Sequence, residues 1–213
     1  MLDDHARRER LDRSRLYLVL EARPQGRDPA PLLEAALRGG VDVVQLRDKE
    51  LGDHELVAAA ESFRAACDEY GALFVLNDRP DLVEACGADG VHLGRSDTPV
   101  PEARALVGSD RIVGISASTF DELEHVGGAD YVGVTTFTTP TKADAVAGGL
   151  ELLRAAAETL TIPWFAIGGI DVANVAAVVA AGVTRVAVVR AIRDADDPED
   201  AARTLRRALD RKE

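Results

Sequence analysis

The 213-residue chain has 37 acidic and 25 basic residues, which give it a formal net charge of −12. This excess of negative charge argues against nonspecific binding to nucleic acid or to anionic membranes, because both depend on lysine and arginine. No run of about eighteen apolar residues predicts a membrane helix, and the charged N-terminus lacks the apolar core of a signal peptide. We therefore expect a cytoplasmic protein that binds neither nucleic acid nor a membrane.

The domain organisation follows from composition. Hydrophobic residues make up 46% of the chain, enough for a large core, and no linker rich in Pro, Gly or Ser divides it. We predict a charged lead-in or extra helix over residues 1–15 and a single domain over residues 16–213. Cys67 and Cys86 have no CxxC or metal-binding spacing, so we expect reduced, structural thiols.

From residue 16 onward, short apolar runs alternate with helix-like segments. Strands are predicted at 16–20, 41–46, 73–76, 90–93, 112–115, 131–134, 164–167 and 185–189. Helices are predicted at 31–38, 53–70, 80–86, 101–107, 120–126, 150–159, 172–180 and 198–209. Eight strand–helix units in about 200 residues favour an α/β fold, a single-domain (β/α)8 TIM barrel. A doubly wound open sheet is the alternative, which the count of eight disfavours.

Polar residues follow most of the predicted strands, and TIM barrels place their sites at the carboxyl ends of their strands. After the second strand, Gln45 can donate and accept hydrogen bonds, Arg47 offers a planar fork of donors, and Lys49 offers a compact positive charge. These groups predict a site for an anion and a heterocycle. The alternative is a solvated, charged turn.

Two carboxylates follow neighbouring strands. Asp78 and Asp97 could converge on Mg²⁺, which takes one or two carboxylates and leaves its other positions to water and phosphate oxygens. Such an ion would let an acidic protein bind a phosphate. The alternative is that each aspartate caps the helix that follows it, a position that Asp favours.

A phosphate site is predicted further along the chain. Thr139 and Thr141 flank Pro140, Lys142 adds a positive charge, and Gly168-Gly169 lets the backbone approach a ligand at a helix N-terminus. A tight strand-to-helix turn is the alternative for the glycine pair. His92 lies at a strand end, where a lone histidine is more often structural than catalytic.

The order and spacing of these motifs resemble the thiamine-phosphate synthase family over residues 16 to 209. The matching stretches are Gln45-Leu46-Arg47-Asp48-Lys49, Asn77-Asp78, 88–94, Asp97, Gly114-Ile115-Ser116, 129–134, Thr139-Pro140-Thr141-Lys142 and 166–170. The resemblance implies a (β/α)8 barrel and a Mg²⁺-dependent transfer. A pyrimidine diphosphate, that of 4-amino-5-hydroxymethyl-2-methylpyrimidine, would react with a thiazole phosphate to give thiamine phosphate and diphosphate. The carbon–oxygen bond would break first, and the thiazole nitrogen would capture the resulting pyrimidine carbocation.

The resemblance also implies roles for individual residues. Asp78 and Asp97 would hold Mg²⁺. The pyrimidine diphosphate would be bound by Gln45, Leu46, Arg47, Asp48, Lys49, Asn77, Ser116 and Lys142. Of these, the catalytic groups would be Arg47, Lys49, Ser116 and Lys142. The thiazole phosphate would be bound by Thr139, Pro140, Thr141, Gly169, Val189 and Arg190.

The sequence departs from the family pattern in three places. The loop after the sixth strand is one residue shorter than usual, with Thr135-Thr136 in place of a Gly-Pro pair and Thr138 in place of a proline. Arg95 replaces a common glutamine. Arg190 replaces the usual serine, and an arginine there could grip the thiazole phosphate bidentately or block the pocket. The grip is the interpretation that we favour.

These departures keep other functions open. A noncatalytic paralogue could bind a thiamine precursor without turnover. The related thiazole tautomerase lacks the diphosphate and metal residues, so Asp78, Asp97 and Lys142 favour the synthase. Another phosphate-binding barrel isomerase would not need Mg²⁺. The sequence does not determine whether the chain forms a homo-oligomer.

Overall fold

The computed structural model describes residues 3–136 and 149–210. Eight parallel strands follow one another around a closed barrel, and the last strand pairs with the first, with Leu16 opposite Val186 and Leu18 opposite Val188. The predicted (β/α)8 barrel is therefore confirmed. The open-sheet alternative is wrong, because an open sheet would leave the first or the last strand at an edge.

The elements follow the expected alternation. The strands are β1 Leu16–Leu20, β2 Val43–Leu46, β3 Leu73–Asn77, β4 Gly90–Leu93, β5 Ile112–Ala117, β6 Tyr131–Thr135, β7 Trp164–Ile167 and β8 Val186–Val188. The helices of the described residues are α1 Asp4–Arg13, α2 Ala30–Arg38, α3 Asp53–Tyr70, α4 Val100–Val107, α5 Phe120–Glu124, α6 Gly149–Thr159, α7 Val175–Ala180, α8 Arg190–Arg193 and α9 Pro198–Asp210.

The structure differs from the predicted elements in two places. The predicted helix at 80–86 is wrong: Pro80–Leu82 forms one 3₁₀ turn, and Gly87, at φ 62°, lets the chain turn back towards β4. The short helix α8 was not predicted, because four residues are too few to show a helical period. Arg190 consequently begins a helix and does not end a strand.

The side chains of the strands divide into two cores. The outer core lies between the barrel and its helices and contains Leu16, Leu18 and Leu20 of β1. The inner core fills the barrel with alternate residues, among them Tyr17 and Val19 of the same strand. Strands buried on both faces read as continuous apolar runs, which is why their positions could be predicted.

Helix α1 closes the amino-terminal end of the barrel. Its Leu11 joins the inner core, and its Arg7 is 1% exposed, with Nε donating to Asp89 Oδ1 at 3.2 Å. Asp89 precedes β4, and its Oδ2 also accepts from Arg64 and from the Phe74 N–H at 2.8 and 2.9 Å. The extra helix expected within residues 1–15 is thus present. We retain the division into residues 1–15 and 16–213 as an interpretation of the chain.

Two further features bear on the expectations. Among the described helices, none has the length and apolar character needed to cross a membrane. Cys67 and Cys86 are free and buried. Burial raises the pKa of the Cys67 thiol to about 12 and that of Cys86 to about 11, which fits the predicted role of both as structural thiols.

Candidate active site

A cavity of about 470 Å³ opens at the carboxyl ends of the strands. Most of the described residues that were predicted to bind a ligand line it. They are Gln45, Arg47, Lys49, Asn77, Asp78, Asp97, Ser116, Gly169, Val189 and Arg190. Because these residues come from six different strand ends, the closed barrel is what brings them together.

Two predicted residues do not reach this cavity with their side chains. Leu46 is fully buried in the outer core. Asp48 accepts hydrogen bonds from the backbone N–H groups of Ala22 and Glu50, at 3.3 and 3.2 Å, and so fixes the loop after β2. The alternation of side chains along a strand explains both outcomes, because Gln45 and Arg47 face the cavity and their neighbours do not. The predicted ligands Thr139, Pro140, Thr141 and Lys142 lie outside the described residues.

The cationic part of the cavity lies beside a carboxylate pair. Lys49 Nζ is 3.2 Å from Asp78 Oδ2. Asp78 has the left-handed backbone conformation, at φ 59°, which is uncommon outside glycine and concentrates at functional sites. The pKa of Asp97 is raised, first by burial and then by the neighbouring Asp78 carboxylate. The two carboxylates therefore converge, as the metal hypothesis requires.

Neither aspartate caps a helix. The residue before the 3₁₀ turn is Arg79 and the residue before α4 is Pro99, and neither turn nor helix receives a side-chain cap. Asp97 instead accepts from the Gly94 N–H through Oδ2 at 2.8 Å. The capping alternative is therefore wrong for both residues.

The donor set suits one kind of metal. No cluster of three or more His, Cys, Asp or Glu side chains that could hold an ion is found within residues 3–136 and 149–210. A pair of oxygen ligands with room for a phosphorylated substrate fits Mg²⁺, which usually keeps several positions for water and phosphate oxygens. The residues present therefore fit a magnesium ion with positions left for other ligands.

A buried hydrogen-bond network forms the floor of the cavity. Gln45 Nε2 donates to the Tyr17 hydroxyl at 2.9 Å, and this hydroxyl is 3.0 Å from that of Tyr131. His92 joins the network through both ring nitrogens, with Nδ1 3.0 Å from the Tyr131 hydroxyl and Nε2 3.0 Å from Ser116 Oγ. His92 is thus a hydrogen-bonded residue of the site, as its position at a strand end suggested.

The two tyrosines were not predicted from the sequence. A Cβ at Gly114 would collide with the Tyr131 ring, so a glycine on the neighbouring strand makes room for the phenol inside the barrel. The Phe165 ring packs edge-on against both tyrosine rings, with centroids 5.3 Å from Tyr17 and 5.7 Å from Tyr131. A glycine within an apolar strand was the one sequence signal for this arrangement.

The other end of the cavity is built by backbone and by one arginine. Gly168 and Gly169 have φ values of 111° and 63°, a conformation that glycine adopts readily, and Asn174 Nδ2 donates to the Gly169 carbonyl at 2.7 Å. Arg190 is exposed and lines the cavity. Hydrogen bonds from Arg193 chiefly lower the pKa of Asp194, and the charge of Arg190 adds to this effect.

Comparisons with known proteins identify the family of this chain. Residues 16–192 match the family model of thiamine monophosphate synthase. The chain is 47% identical over 207 residues to thiamine-phosphate synthase of Thermosynechococcus vestitus, covering 96% of this chain and 58% of that one. It therefore spans little more than half of the length of this relative. It is 46% identical to thiamine-phosphate synthase of Thermobifida fusca, over 97% of both chains.

One solved structure extends the comparison to three dimensions. Thiamine phosphate pyrophosphorylase from Pyrococcus furiosus superposes with a TM-score of 0.84 and 34% identity, over 95% of this chain and 96% of that one. The names of these relatives denote a transferase of thiamine biosynthesis, so the resemblance noted from the motifs is confirmed. The chain belongs to the thiamine monophosphate synthase family.

Proposed function

We propose that the chain is a thiamine-phosphate synthase that joins a pyrimidine diphosphate to a thiazole phosphate. The observation that carries the proposal is the composition of one cavity. Cations and paired carboxylates meet at one end of it, and a Gly-Gly turn with an exposed arginine forms the other. Two phosphorylated substrates can therefore be held with their reacting atoms between these ends.

The transfer reaction needs no nucleophile from the protein. The bond between the pyrimidine methylene carbon and the diphosphate oxygen breaks, and its electron pair leaves with the diphosphate. The thiazole nitrogen then gives its lone pair to the methylene carbon and forms the new carbon–nitrogen bond. No proton is transferred, so the barrier is mainly charge separation, which fixed charges and proximity lower.

Stabilisation of the departing diphosphate is assigned to donors at one end of the cavity. Arg47 offers a bidentate fork, Lys49 offers a point charge, and Ser116 offers a hydroxyl. Asn77 lines the same region and would bind the diphosphate or the ring. Lys142, which follows β6 in the sequence, is proposed as a further cation on the diphosphate.

Asp78 and Asp97 would hold Mg²⁺. The ion would supply positive charge to the diphosphate oxygens. Lys49, which contacts Asp78, would then be released to the substrate. The support is the convergence of two carboxylates that cap no helix.

The walls of the cavity would protect the pyrimidine carbocation from water. Tyr131, Phe165 and Ile167 line it, and the two aromatic rings would favour a positively charged ligand if they present their faces to it. Gln45, held by the Tyr17 hydroxyl, would read the pyrimidine. A close, dry arrangement favours capture by the thiazole nitrogen over capture by water.

The thiazole phosphate is assigned to the end formed by Gly169, Val189 and Arg190, together with Thr139, Pro140 and Thr141, which follow β6 in the sequence. Arg190 supports this assignment because it lies at the rim with its side chain exposed. A guanidinium in that place can bind a phosphate bidentately without filling the cavity.

We place the enzyme in the cytoplasm, with small phosphorylated molecules as its partners. Free, buried cysteines support a reducing compartment. The net charge of −12 disfavours nucleic acid and anionic membranes as partners.

Turnover tests the proposal. Purified protein with both substrates and Mg²⁺ should release diphosphate, and omission of the thiazole phosphate or chelation of the metal should stop the release. If no diphosphate is released while the thiazole phosphate still binds in a titration, the chain is a noncatalytic binding protein and the proposal is wrong.

A further inference from the structure

The floor of the cavity holds a continuous chain of hydrogen bonds that the transfer itself does not require. It runs from the Gln45 amide through the hydroxyls of Tyr17 and Tyr131 to His92 and ends at Ser116. Four contacts of 2.9 or 3.0 Å join these five side chains. The two ends are residues that the proposed function places on the pyrimidine diphosphate.

Each member of this chain has few hydrogens to share. Burial raises the pKa of both Tyr17 and Tyr131, so each phenol keeps its single O–H. We take His92 as neutral, with one N–H on its imidazole, and a serine has one O–H. In a chain of single donors, the direction of one hydrogen bond therefore determines the direction of every other.

The direction can be followed from the diphosphate end. When Ser116 donates to a phosphate oxygen, the hydrogen between Ser116 and His92 must come from His92 Nε2. Nδ1 of His92 then has no hydrogen, so Tyr131 donates to it, and Tyr17 in turn donates to Tyr131. Gln45 must then donate to Tyr17 through Nε2, and the structure has this orientation, with a distance of 2.9 Å.

This orientation leaves the side-chain carbonyl of Gln45 for a ligand. Oε1 has no hydrogen-bond partner among the described residues, and Gln45 lines the cavity. If Oε1 faced Tyr17 instead, the whole chain would reverse and Ser116 would donate to His92. The hydroxyl of Ser116 would then no longer be available to a diphosphate.

We propose that Tyr131 is a positioning residue that couples the two ends of this chain. A diphosphate that accepts from Ser116 holds the Gln45 carbonyl as an acceptor for the heterocycle. The site then selects a ring that presents an amino N–H and rejects one that presents only an acceptor. This inference rests on the proposed function and deepens it, since it assigns how that site reads its pyrimidine.

A double-mutant cycle tests the coupling, with the binding of inorganic diphosphate in the presence of Mg²⁺ measured by titration calorimetry. Gln45→Glu puts acceptors only at one end, so Tyr17 must donate to it and the chain reverses. We expect Gln45→Glu to weaken diphosphate binding by roughly tenfold or more. In a Tyr131→Phe background the chain of hydrogen bonds is broken. Gln45→Glu should then weaken diphosphate binding by less than about threefold.

This comparison removes the direct repulsion between the new carboxylate and the diphosphate, because the repulsion is present in both backgrounds. Tyr17→Phe cuts the chain at another link and should act like Tyr131→Phe, which keeps the test informative if one variant fails to fold. Tyr70→Phe removes a phenol hydroxyl from α3, outside the barrel, and should leave the tenfold effect unchanged. Thermal unfolding shows which variants keep the fold.

The outcomes separate the inference from the function beneath it. Equal losses in all backgrounds would overturn the coupling, while thiamine phosphate formation by the unsubstituted protein would leave the proposed function standing. If the unsubstituted protein neither binds diphosphate nor forms thiamine phosphate, both are wrong.

Discussion

Arg190 is the residue whose role the sequence left most open. It begins α8 at the rim of the cavity and is exposed, so it neither packs into the barrel nor fills the site. A side chain with this position and charge is suited to a phosphate that arrives from solvent. The sequence alone left gripping and blocking open, because both place an arginine at the same point of the chain.

Arg190→Ala should weaken the binding of the thiazole phosphate. We expect its KM to rise roughly tenfold, the cost of one lost charge-assisted contact, with a smaller effect on the KM of the pyrimidine diphosphate. Arg190→Ser should raise this KM by less, since a serine hydroxyl can still donate a hydrogen bond to the phosphate. Steady-state kinetics with each substrate varied in turn measures both effects, and Arg154→Ala, on the exposed face of α6, is the matched control. An unchanged or lower KM in Arg190→Ala would show that the arginine obstructs the site.

A second prediction at the residue scale concerns Asp78 and Asp97. Asp78→Asn or Asp97→Asn keeps the side-chain size and removes a negative charge, so each should lower Mg²⁺-dependent kcat by roughly 100-fold or more. Circular dichroism should show an unchanged fold. The dependence of rate on Mg²⁺ concentration should shift upwards as well. Asp121→Asn, at an exposed position of α5, should change neither, and normal metal dependence in Asp78→Asn would refute the metal assignment.

At the scale of elements, the strands could be predicted and the turns between them could not. Apolar runs such as Leu16–Leu20 mark strands that are buried on both faces. The same burial hides which residues face inward, because both sets are apolar, and so the inward position of Tyr17 could not be deduced. The convergence of Asp78 and Asp97 could be expected from the closed barrel. The side chains of Leu46 and Asp48 do not line the cavity because side chains alternate along β2, and a motif read residue by residue does not show this alternation.

A further prediction concerns helix α1, which a buried ion pair between Arg7 and Asp89 connects to the barrel. Asp89→Ala would remove the carboxylate 3.2 Å from the buried guanidinium of Arg7 and leave it, among the carboxylates of the described residues, only that of the exposed Asp110, 3.8 Å away. We expect the free energy of unfolding to fall by roughly 3 kcal/mol or more, as for other broken buried pairs. Urea unfolding measures the loss. KM values should stay unchanged, because this end of the barrel is remote from the cavity.

A matched exposed pair exists on the same helix. Glu9→Ala breaks the contact between Glu9 and Arg13, which are 48% and 77% exposed, and should cost less than about 1 kcal/mol. A similar small loss for Asp89→Ala would contradict the role of the buried pair in closing the barrel.

At the scale of the whole molecule, the barrel protects its thiols as long as it stays folded. The raised pKa values of Cys67 and Cys86, about 12 and about 11, mean that little thiolate exists near pH 8. Alkylation by iodoacetamide at that pH should therefore be slow in the native protein and fast in urea. Mass spectrometry of both states checks this expectation. Rapid alkylation of Cys67 without denaturant would show that the barrel opens locally.

The most direct test of the central claim is to count both products in one reaction. With both substrates and Mg²⁺, thiamine phosphate identified by mass spectrometry and diphosphate measured in the same sample should appear in equal amounts over time. Equal amounts would establish transfer between the two ends of the cavity. Diphosphate without thiamine phosphate would mean that water captures the pyrimidine, and the absence of both products would contradict the assignment of this site as a thiamine-phosphate synthase.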